Sequence, residues 1–229
     1  IQKQDQWNGE KNEIMQEIIT FIMEIIGTIA FAASGAMVGV GRRMDIFGVC
    51  VLGVVTSVGG GMIRDIVLGI ITPGMFQKPV YTIVATATSC VVFWVLYLKK
   101  ELVEGHFREI YDRFMLIMDT IGLGIFTVVG VNTGIRHGYM DNTFLLVFVG
   151  TITGVGGGLL RDMMAGVPPY IFVKHIYACA SIVGAVVCVY MYRSFGTVAA
   201  MVGASAVVFL IRYLAAHYRW NLPRLKRED

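Results

Sequence analysis

The feature that most constrains this chain is a pair of similar stretches in which three consecutive glycines precede an arginine and an aspartate. The first is GVVTSVGGGMIRDIVLG, residues 53–69, and the second is GTITGVGGGLLRDMMAG, residues 150–166. Both lie within long apolar runs, where glycine costs about 1 kcal/mol relative to alanine in a helix. An intramembrane charge costs at least about 2.5 kcal/mol and marks a protein interior. The duplication therefore calls for a common structural reason.

Composition predicts an all-α membrane protein with several spans. Of 229 residues, 56% are hydrophobic and 15% are charged, with a mean hydropathy of +0.68, which is more apolar than one soluble core requires. A helix of about 20 apolar residues crosses a bilayer. Seven such spans are predicted, at residues 18–40, 46–71, 80–98, 114–133, 143–167, 176–192 and 197–216.

The segments outside the spans predict the domain limits and the orientation. Residues 1–14 form a polar N-terminal tail, residues 15–216 form one transmembrane domain, and residues 217–229 form a basic cytoplasmic tail. The first span is full length and lacks a basic leader, so it is expected to be retained. Eleven Lys and Arg residues flank the spans on one side and five on the other. The positive-inside rule predicts an external N-terminus and a cytoplasmic C-terminus in the cell (inner) membrane.

The resemblance between the two halves extends beyond the glycines. MEIIG at residues 23–27 corresponds to MDTIG at residues 118–122, and KPVY at residues 78–81 corresponds to KHIY at residues 174–177. The pattern predicts two three-helix repeats, at about 18–98 and about 114–192, followed by a seventh helix at about 197–216. Because each unit has an odd number of spans, the second copy is inverted, as in many transporters.

The glycines are interpreted as breaks or kinks in the second and fifth spans, near the middle of the membrane. An interrupted helix is tolerated there only around protein or a water-filled cavity. The predicted pore residues are Gly59, Gly60, Gly61, Gly156, Gly157, Gly158, Thr56, Ser57 and Thr153. Their oxygen dipoles suit a partly dehydrated monovalent cation, whereas half-helix N-termini would equally suit a small carboxylate. Close helix packing through rows of small residues is the alternative.

Six charged residues within the spans also follow the repeat. Glu24 corresponds to Asp119, and Arg64 and Asp65 correspond to Arg161 and Asp162. Adjacent helical residues do not face each other, so each arginine and aspartate is expected to find a partner on another helix, and pairing across the pseudo-twofold is one option. The two aspartates are also expected to cap restarted half-helices. A structural clip and a direct transport role both stay open, and Glu24 and Asp119 lie either near an interface or in a cation-attracting vestibule.

The duplicated GGGMIRD and GGGLLRD, in the second and fifth of seven spans, resemble the prokaryotic branch of the trimeric intracellular cation (TRIC) channel family, whose bacterial members are also described as glycine transporters. The resemblance implies a homotrimer in which each protomer has its own pore, lined by the kinked second and fifth spans. Residues 59–61 and 156–158 would form the kinks. Animal members bind a phosphoinositide and use a lysine in the fourth span. The fourth span here has no lysine, so neither property is carried over.

The predicted function is a monovalent cation channel that conducts potassium, with sodium as a further permeating ion. The alternative is a secondary transporter of glycine or a similar small zwitterion. An enzyme is not expected, because the chain has no phosphate-binding GxxxxGK[ST] motif and no catalytic or metal-ligand constellation. The expected partners are further copies of the chain and membrane lipid, with no nucleic acid and no cofactor.

Overall fold

The computed structural model describes residues 2–173, 176–218 and 220, and this part of the chain is helical with short turns and contains no strand. The helices are α1 (Gln2–Gly41), α2 (Ile46–Val67), α3 (Gly74–Gln77), α4 (Val80–Leu98), α5 (Lys100–Arg136), α6 (Thr143–Met164), α7 (Tyr170–Val173), α8 (Tyr177–Phe195) and α9 (Thr197–His217). The short α3 and α7 follow α2 and α6, so the two halves share one element order.

Seven of these helices contain segments long and apolar enough to cross a membrane, which confirms the seven predicted spans. The segments are Ile14–Gly41, Ile46–Val67, Val80–Leu98, Tyr111–Arg136, Thr143–Met164, Tyr177–Phe195 and Thr197–His217. Residues 2–14, predicted as a tail, continue α1 as helix. Most of the predicted basic tail lies outside the described residues.

The repeat extends to the ends of α2 and α6. Asp45 precedes α2 and accepts a hydrogen bond from the Gly48 N–H at 2.7 Å, while Asn142 precedes α6 and accepts one from the Leu145 N–H at 3.0 Å. Such caps satisfy N–H groups that have no partner within the helix. Beyond the C-terminal ends, Gly69 and Gly166 have φ values of +72° and +64°, a left-handed conformation that favours glycine.

The pseudo-twofold axis passes between Phe31 of α1 and Phe126 of α5, corresponding residues whose ring centroids lie 5.2 Å apart. A Cβ atom added to Gly27 would lie 3.1 Å from the Phe126 ring, and one added to Gly122 would overlap the Phe31 ring. Reciprocal contacts of this kind are what a twofold axis produces. The two inverted three-helix units therefore pack on each other face to face.

The glycine triplets do not interrupt their helices, so the predicted breaks are wrong, whereas a kink at residues 59–61 or 156–158 stays a prediction. Both α2 and α6 run through their three glycines as continuous helix. A Cβ atom added to Gly60 would collide with the Thr153 carbonyl oxygen, and one added to Gly157 would collide with that of Thr56. The helical cost of glycine is offset here by the close approach of two backbones, which was the alternative interpretation.

Candidate functional site

A cavity of about 260 Å³ enters the first repeat between α1, α2, α4 and α5. It is named the vestibule here, and its lining includes Gly61 and the polar residues Glu24, Thr28, Ser57, Arg64, Asp65, Tyr81 and Thr133. Lys78 and His137 also line it, and both are exposed, so the cavity opens to the surface at these residues. Three of the six charged residues predicted from the repeat thus meet around one cavity.

Arg64 and Asp65 pair with each other, contrary to the sequence prediction. The Arg64 Nε donates to Asp65 Oδ1 at 2.8 Å, and Arg64 Nη2 lies 2.7 Å from the same oxygen. The angle between adjacent Cβ directions does not prevent this, because the long arginine side chain can turn back to its neighbour. The other carboxylate oxygen accepts the Gly74 N–H at 2.8 Å, so Asp65 joins the end of α2 to the start of α3.

This geometry also corrects the predicted capping role of the two aspartates. Asp65 and Asp162 lie near the C-terminal ends of α2 and α6, not in the first turn of a restarted half-helix. Asp162 Oδ2 accepts the Tyr170 N–H at 2.8 Å, in the same way as Asp65 accepts that of Gly74. Each aspartate therefore holds the short helix that follows its own span.

Glu24 lies half-buried on the wall of the vestibule, with its carboxylate hydrogen-bonded by the Tyr81 hydroxyl. No ion pair joins Glu24 to Arg64, although both line the same cavity. Tyr81 was missed as a site residue. The signal was present in the sequence, since Tyr81 and Tyr177 end the corresponding KPVY and KHIY segments.

The second repeat holds the corresponding residues in a buried cluster, defined here as Asp119, Gly158, Arg161, Asp162 and Tyr177. Arg161 Nη1 lies 2.6 Å from Asp119 Oδ1, and both side chains are 0% exposed. The Arg161 Nε donates to Asp162 Oδ1 at 2.8 Å. Within the described part of the chain, Arg161 thus has an ion-pair partner on another helix and Arg64 has none.

The buried cluster also reaches across the pseudo-twofold, to Ser34 of α1. The Ser34 hydroxyl accepts a hydrogen bond from Arg161 Nη1 and donates one to Asp119 Oδ1 at 3.4 Å. Sequence comparison of the repeats could not identify Ser34, because the corresponding residue in the second repeat is Val129. A contact between the two repeats is therefore part of this cluster.

Tyr170, between α6 and α8, covers the buried cluster from the surface side. The Arg161 guanidinium carbon lies 5.3 Å from the centroid of its ring, within range of a cation–π interaction. Burial raises the pKa of the Tyr170 phenol to about 12, further from physiological pH than the ordinary value of about 10, at which a phenol is already neutral. An uncharged aromatic face is thus held against a buried arginine.

The three predicted hydroxyls differ in their surroundings. Thr56 and Thr153 are buried and donate to the carbonyl oxygens of Leu52 and Val149, each at 2.5 Å. Ser57 lines the vestibule, although its hydroxyl donates to the Val54 carbonyl at 2.9 Å. Of the three, only Ser57 contributes to the cavity.

The six glycines divide by position within each triplet. Gly59 faces the side chain of Leu160, and a Cβ atom added to Gly156 would lie 3.1 Å from the Gly60 Cα, so the first two glycines of each triplet serve the crossing of α2 and α6. The third glycine faces the charged groups. Gly61 lines the vestibule, and Gly158 faces the buried cluster.

Among the described residues, no group of three or more His, Cys, Asp or Glu side chains is arranged to hold a metal ion. The vestibule and the buried cluster present carboxylates, guanidinium groups, phenols and hydroxyls. Such groups bind small ions or zwitterions by charge and hydrogen bonding.

The chain matches a protein family described as "Glycine transporter". The family matches the chain at residues 21–97 and again at residues 116–193, one match for each repeat. The inner membrane protein YadS of Escherichia coli K12 is 36% identical over 93% of this chain and 99% of its own length. The membrane protein YvgT of Bacillus subtilis is 30% identical over 88% of this chain and 94% of its own length.

Solved structures of similar fold include cation channels. A TRIC cation channel, described for its conductance, has a TM-score of 0.76 at 32% identity and covers 91% of this chain and 98% of its own. A prokaryotic TRIC channel crystallised in 0.5 M KCl has a TM-score of 0.79 at 30% identity, with 90% and 100% covered. The TRIC orthologue from Rhodobacter sphaeroides has a TM-score of 0.78 at 28% identity, with 88% and 99% covered.

Proposed function

The chain belongs to the trimeric intracellular cation (TRIC) channel family, and from this premise we propose that it is a potassium-conducting channel for monovalent cations. The observation that carries the proposal is the vestibule, a charged cavity that enters the membrane domain beside α2. Its structural relatives of 28–32% identity are also described as channels.

Electrostatics supports a cation as the permeating species. Glu24 carries a carboxylate on the vestibule wall, whereas the charge of Arg64 is compensated by its pair with Asp65. A carboxylate on the wall of a low-dielectric cavity raises the local cation concentration. Glu24 is therefore proposed to attract cations inside the vestibule, while the Lys78 ammonium that also lines the cavity is exposed to solvent at its opening and screened there.

The proposed path continues along α2 and α6. From the vestibule it runs past the crossing at Gly60 and Gly157 toward the buried cluster, where the pseudo-twofold repeats the same residue types. Carbonyl groups at a close helix crossing can replace water around a partly dehydrated ion. On this proposal Gly61 and Gly158 are wall residues of the pore, whereas Gly59, Gly60, Gly156 and Gly157 let α2 and α6 cross closely beside it.

The assembly and orientation follow from the same premise. We infer a homotrimer, as the word trimeric in the family name indicates, and propose that each protomer is embedded in lipid and has its own pore. The N-terminus is external, the C-terminus is cytoplasmic, and the bilayer is the cell (inner) membrane, the location included in the name of the relative YadS. With this orientation the vestibule opens to the outside.

A transporter of glycine or another small zwitterion is the second candidate, and one observation favours it. The vestibule contains the Glu24 carboxylate and the Arg64 guanidinium, which match the ammonium and carboxylate ends of an amino acid. The description of the matching family names the same substrate. The two functions differ in kinetics, because a transporter saturates and a channel follows the electrochemical gradient.

The deciding experiment measures potassium release from liposomes containing the purified protein, beside uptake of radiolabelled glycine by the same vesicles. The channel predicts fast, non-saturating potassium release that follows the membrane potential, with no glycine uptake. Saturable glycine uptake without an independent potassium leak would reject the channel in favour of the transporter. Protein-free liposomes give the background leak.

A further inference from the structure

Two of the four free cysteines, Cys50 of α2 and Cys90 of α4, lie in contact inside the membrane domain. Their sulfur atoms are 3.5 Å apart, although 40 residues separate them along the chain. A disulfide bond requires the two sulfurs to approach to about 2.05 Å. The remaining gap is of a size that rotation of the two side chains covers.

The helices that carry the two cysteines are held tightly at this level. A Cβ atom added to Gly53, one turn after Cys50, would collide with the Ser89 hydroxyl. Ser89 directly precedes Cys90 and is 0% exposed. Small residues of this kind let two membrane helices approach closely. The cysteine pair therefore lies beside a fixed crossing of α2 and α4.

The second repeat makes the same crossing without cysteine. A Cβ atom added to Gly150 of α6 would lie 3.3 Å from the Cβ of Ala185 on α8, and these residues correspond to the crossing residues of α2 and α4. At the positions that correspond to the two cysteines, the second repeat has Val147 and Val186. Packing at this crossing thus needs no thiol, and the first repeat has both cysteines where the second has neither.

Cys50 is reached from the lipid side of the protein. It lines an apolar groove of about 450 Å³ together with Phe47, Val51 and Val54, and the Phe47 side chain is 74% exposed. Such a surface, in a span long enough to cross a bilayer, faces hydrocarbon and not water. An apolar reagent dissolved in the membrane can therefore contact the Cys50 sulfur first, with Cys90 directly behind it.

We propose that Cys50 and Cys90 form a redox site, which an organic hydroperoxide dissolved in the bilayer converts into a disulfide. The Cys50 sulfur attacks the peroxide, the O–O bond breaks, and a Cys50 sulfenic acid and an alcohol are formed. The Cys90 sulfur then attacks the sulfenic sulfur, so that the S–S bond forms and water leaves. The thiols lose two electrons to the peroxide, and their two protons leave in the alcohol and the water.

The new bond joins two helices of the vestibule wall, because α2 carries Arg64 and α4 carries Tyr81. It fixes the separation of α2 from α4 at their crossing. It also closes a loop of the chain, which restricts the unfolded state and stabilises the folded one. The inference is independent of whether the protein conducts potassium or transports glycine, since it concerns only the sulfur pair and the helices that hold it.

The test uses full-length protein in liposomes treated with cumene hydroperoxide, an apolar organic hydroperoxide. Non-reducing digestion and mass spectrometry are expected to show a peptide pair joined through Cys50 and Cys90, which dithiothreitol separates. In detergent, the oxidised protein is expected to melt about 5 °C or more above the reduced protein. Cys90→Val is the matched control, because valine is the corresponding residue of the second repeat, and its melting temperature should not respond to the oxidant.

The same control variant tests the order of the two steps. In Cys90→Val, the Cys50 sulfenic acid has no second thiol, so dimedone is expected to label Cys50 in this variant and far less in the unaltered protein. Cys188 of α8 is 2% exposed and serves as the internal comparison, which should stay unlabelled in both proteins.

Two results would overturn the inference. One is the absence of the joined peptide after prolonged treatment with cumene hydroperoxide, which would show that the sulfurs do not reach each other. The other is a joined peptide with no rise in melting temperature, which would show that the bond forms in protein whose α2–α4 crossing is already lost.

Discussion

The carbonyl oxygen of Thr153 on α6 lies so close to the Cα of Gly60 on α2 that no side chain can be placed between them. The same relationship joins Thr56 and Gly157 across the pseudo-twofold. The crossing of the two glycine helices is thus a backbone-to-backbone contact. A side chain added at this contact would displace one of the two helices, because neither backbone carbonyl can rotate away from it.

Gly60→Ala is expected to lower the stability of the protein, although alanine is the better helix former. The added Cβ collides with the Thr153 carbonyl, and overpacking of this kind costs about 1–3 kcal/mol. The neighbouring Gly61→Ala is the control, because its Cβ meets only the Arg64 side chain at 3.8 Å. Thermal unfolding in detergent is the measurement. Equal melting temperatures for the two variants would contradict the close backbone contact at the crossing of α2 and α6.

Asp119→Ala is expected to destabilise the protein strongly. It removes one partner of the buried Arg161, and breaking a buried ion pair costs about 3–5 kcal/mol. The loss of stability should lie near the lower end of this range, because Asp162 still binds Arg161 at 2.8 Å.

Glu109→Ala on the same helix is the control for Asp119→Ala. Glu109 and Arg113 are 3.6 Å apart with side chains 72% and 76% exposed, and exposed pairs contribute little. Thermal unfolding in detergent again gives the comparison. A melting temperature for Asp119→Ala as high as that for Glu109→Ala would argue against the buried pair.

Glu24→Gln is expected to reduce potassium release from liposomes severalfold, because it removes the carboxylate that attracts cations into the vestibule. The effect should shrink as ionic strength rises, since salt screens the charge. Glu17→Gln is a suitable comparison: Glu17 lies on the same helix, in an exposed pair with Arg136 at 2.8 Å. Unchanged potassium flux in Glu24→Gln would show that Glu24 does not contribute to the permeation path.

Tyr81→Phe and Tyr177→Phe are expected to differ in their effect on stability. The Tyr81 hydroxyl donates to Glu24, and losing that bond at a half-buried site should cost about 1 kcal/mol. The Tyr177 hydroxyl lies next to the Asp119 carboxylate but makes no hydrogen bond of normal geometry with the described residues, so its removal should cost less than that of the Tyr81 hydroxyl. Differential scanning fluorimetry on the purified variants compares them, and a larger loss in Tyr177→Phe would show that its hydroxyl is satisfied.

The number and order of the spans could be predicted from sequence, because the length of an apolar segment is a local property. The span 80–98 was predicted with the bounds that α4 has, Val80–Leu98. The correspondence between Glu24 and Asp119, and between Arg64 and Arg161, could likewise be predicted from residue spacing. Duplication made that inference possible without an alignment of relatives.

What the sequence left open was the meaning of the glycines and the state of each charge cluster. Local propensity favours a break at three glycines, but the crossing of α2 and α6 supplies a contact that only glycine permits. The corresponding charges of the two repeats are nearly identical in sequence, yet one set lines a cavity and the other is buried. The apolar pattern of the chain thus determined its seven spans and its inverted repeat. Only tertiary packing decided which repeat is open, because that depends on contacts between helices far apart in the chain.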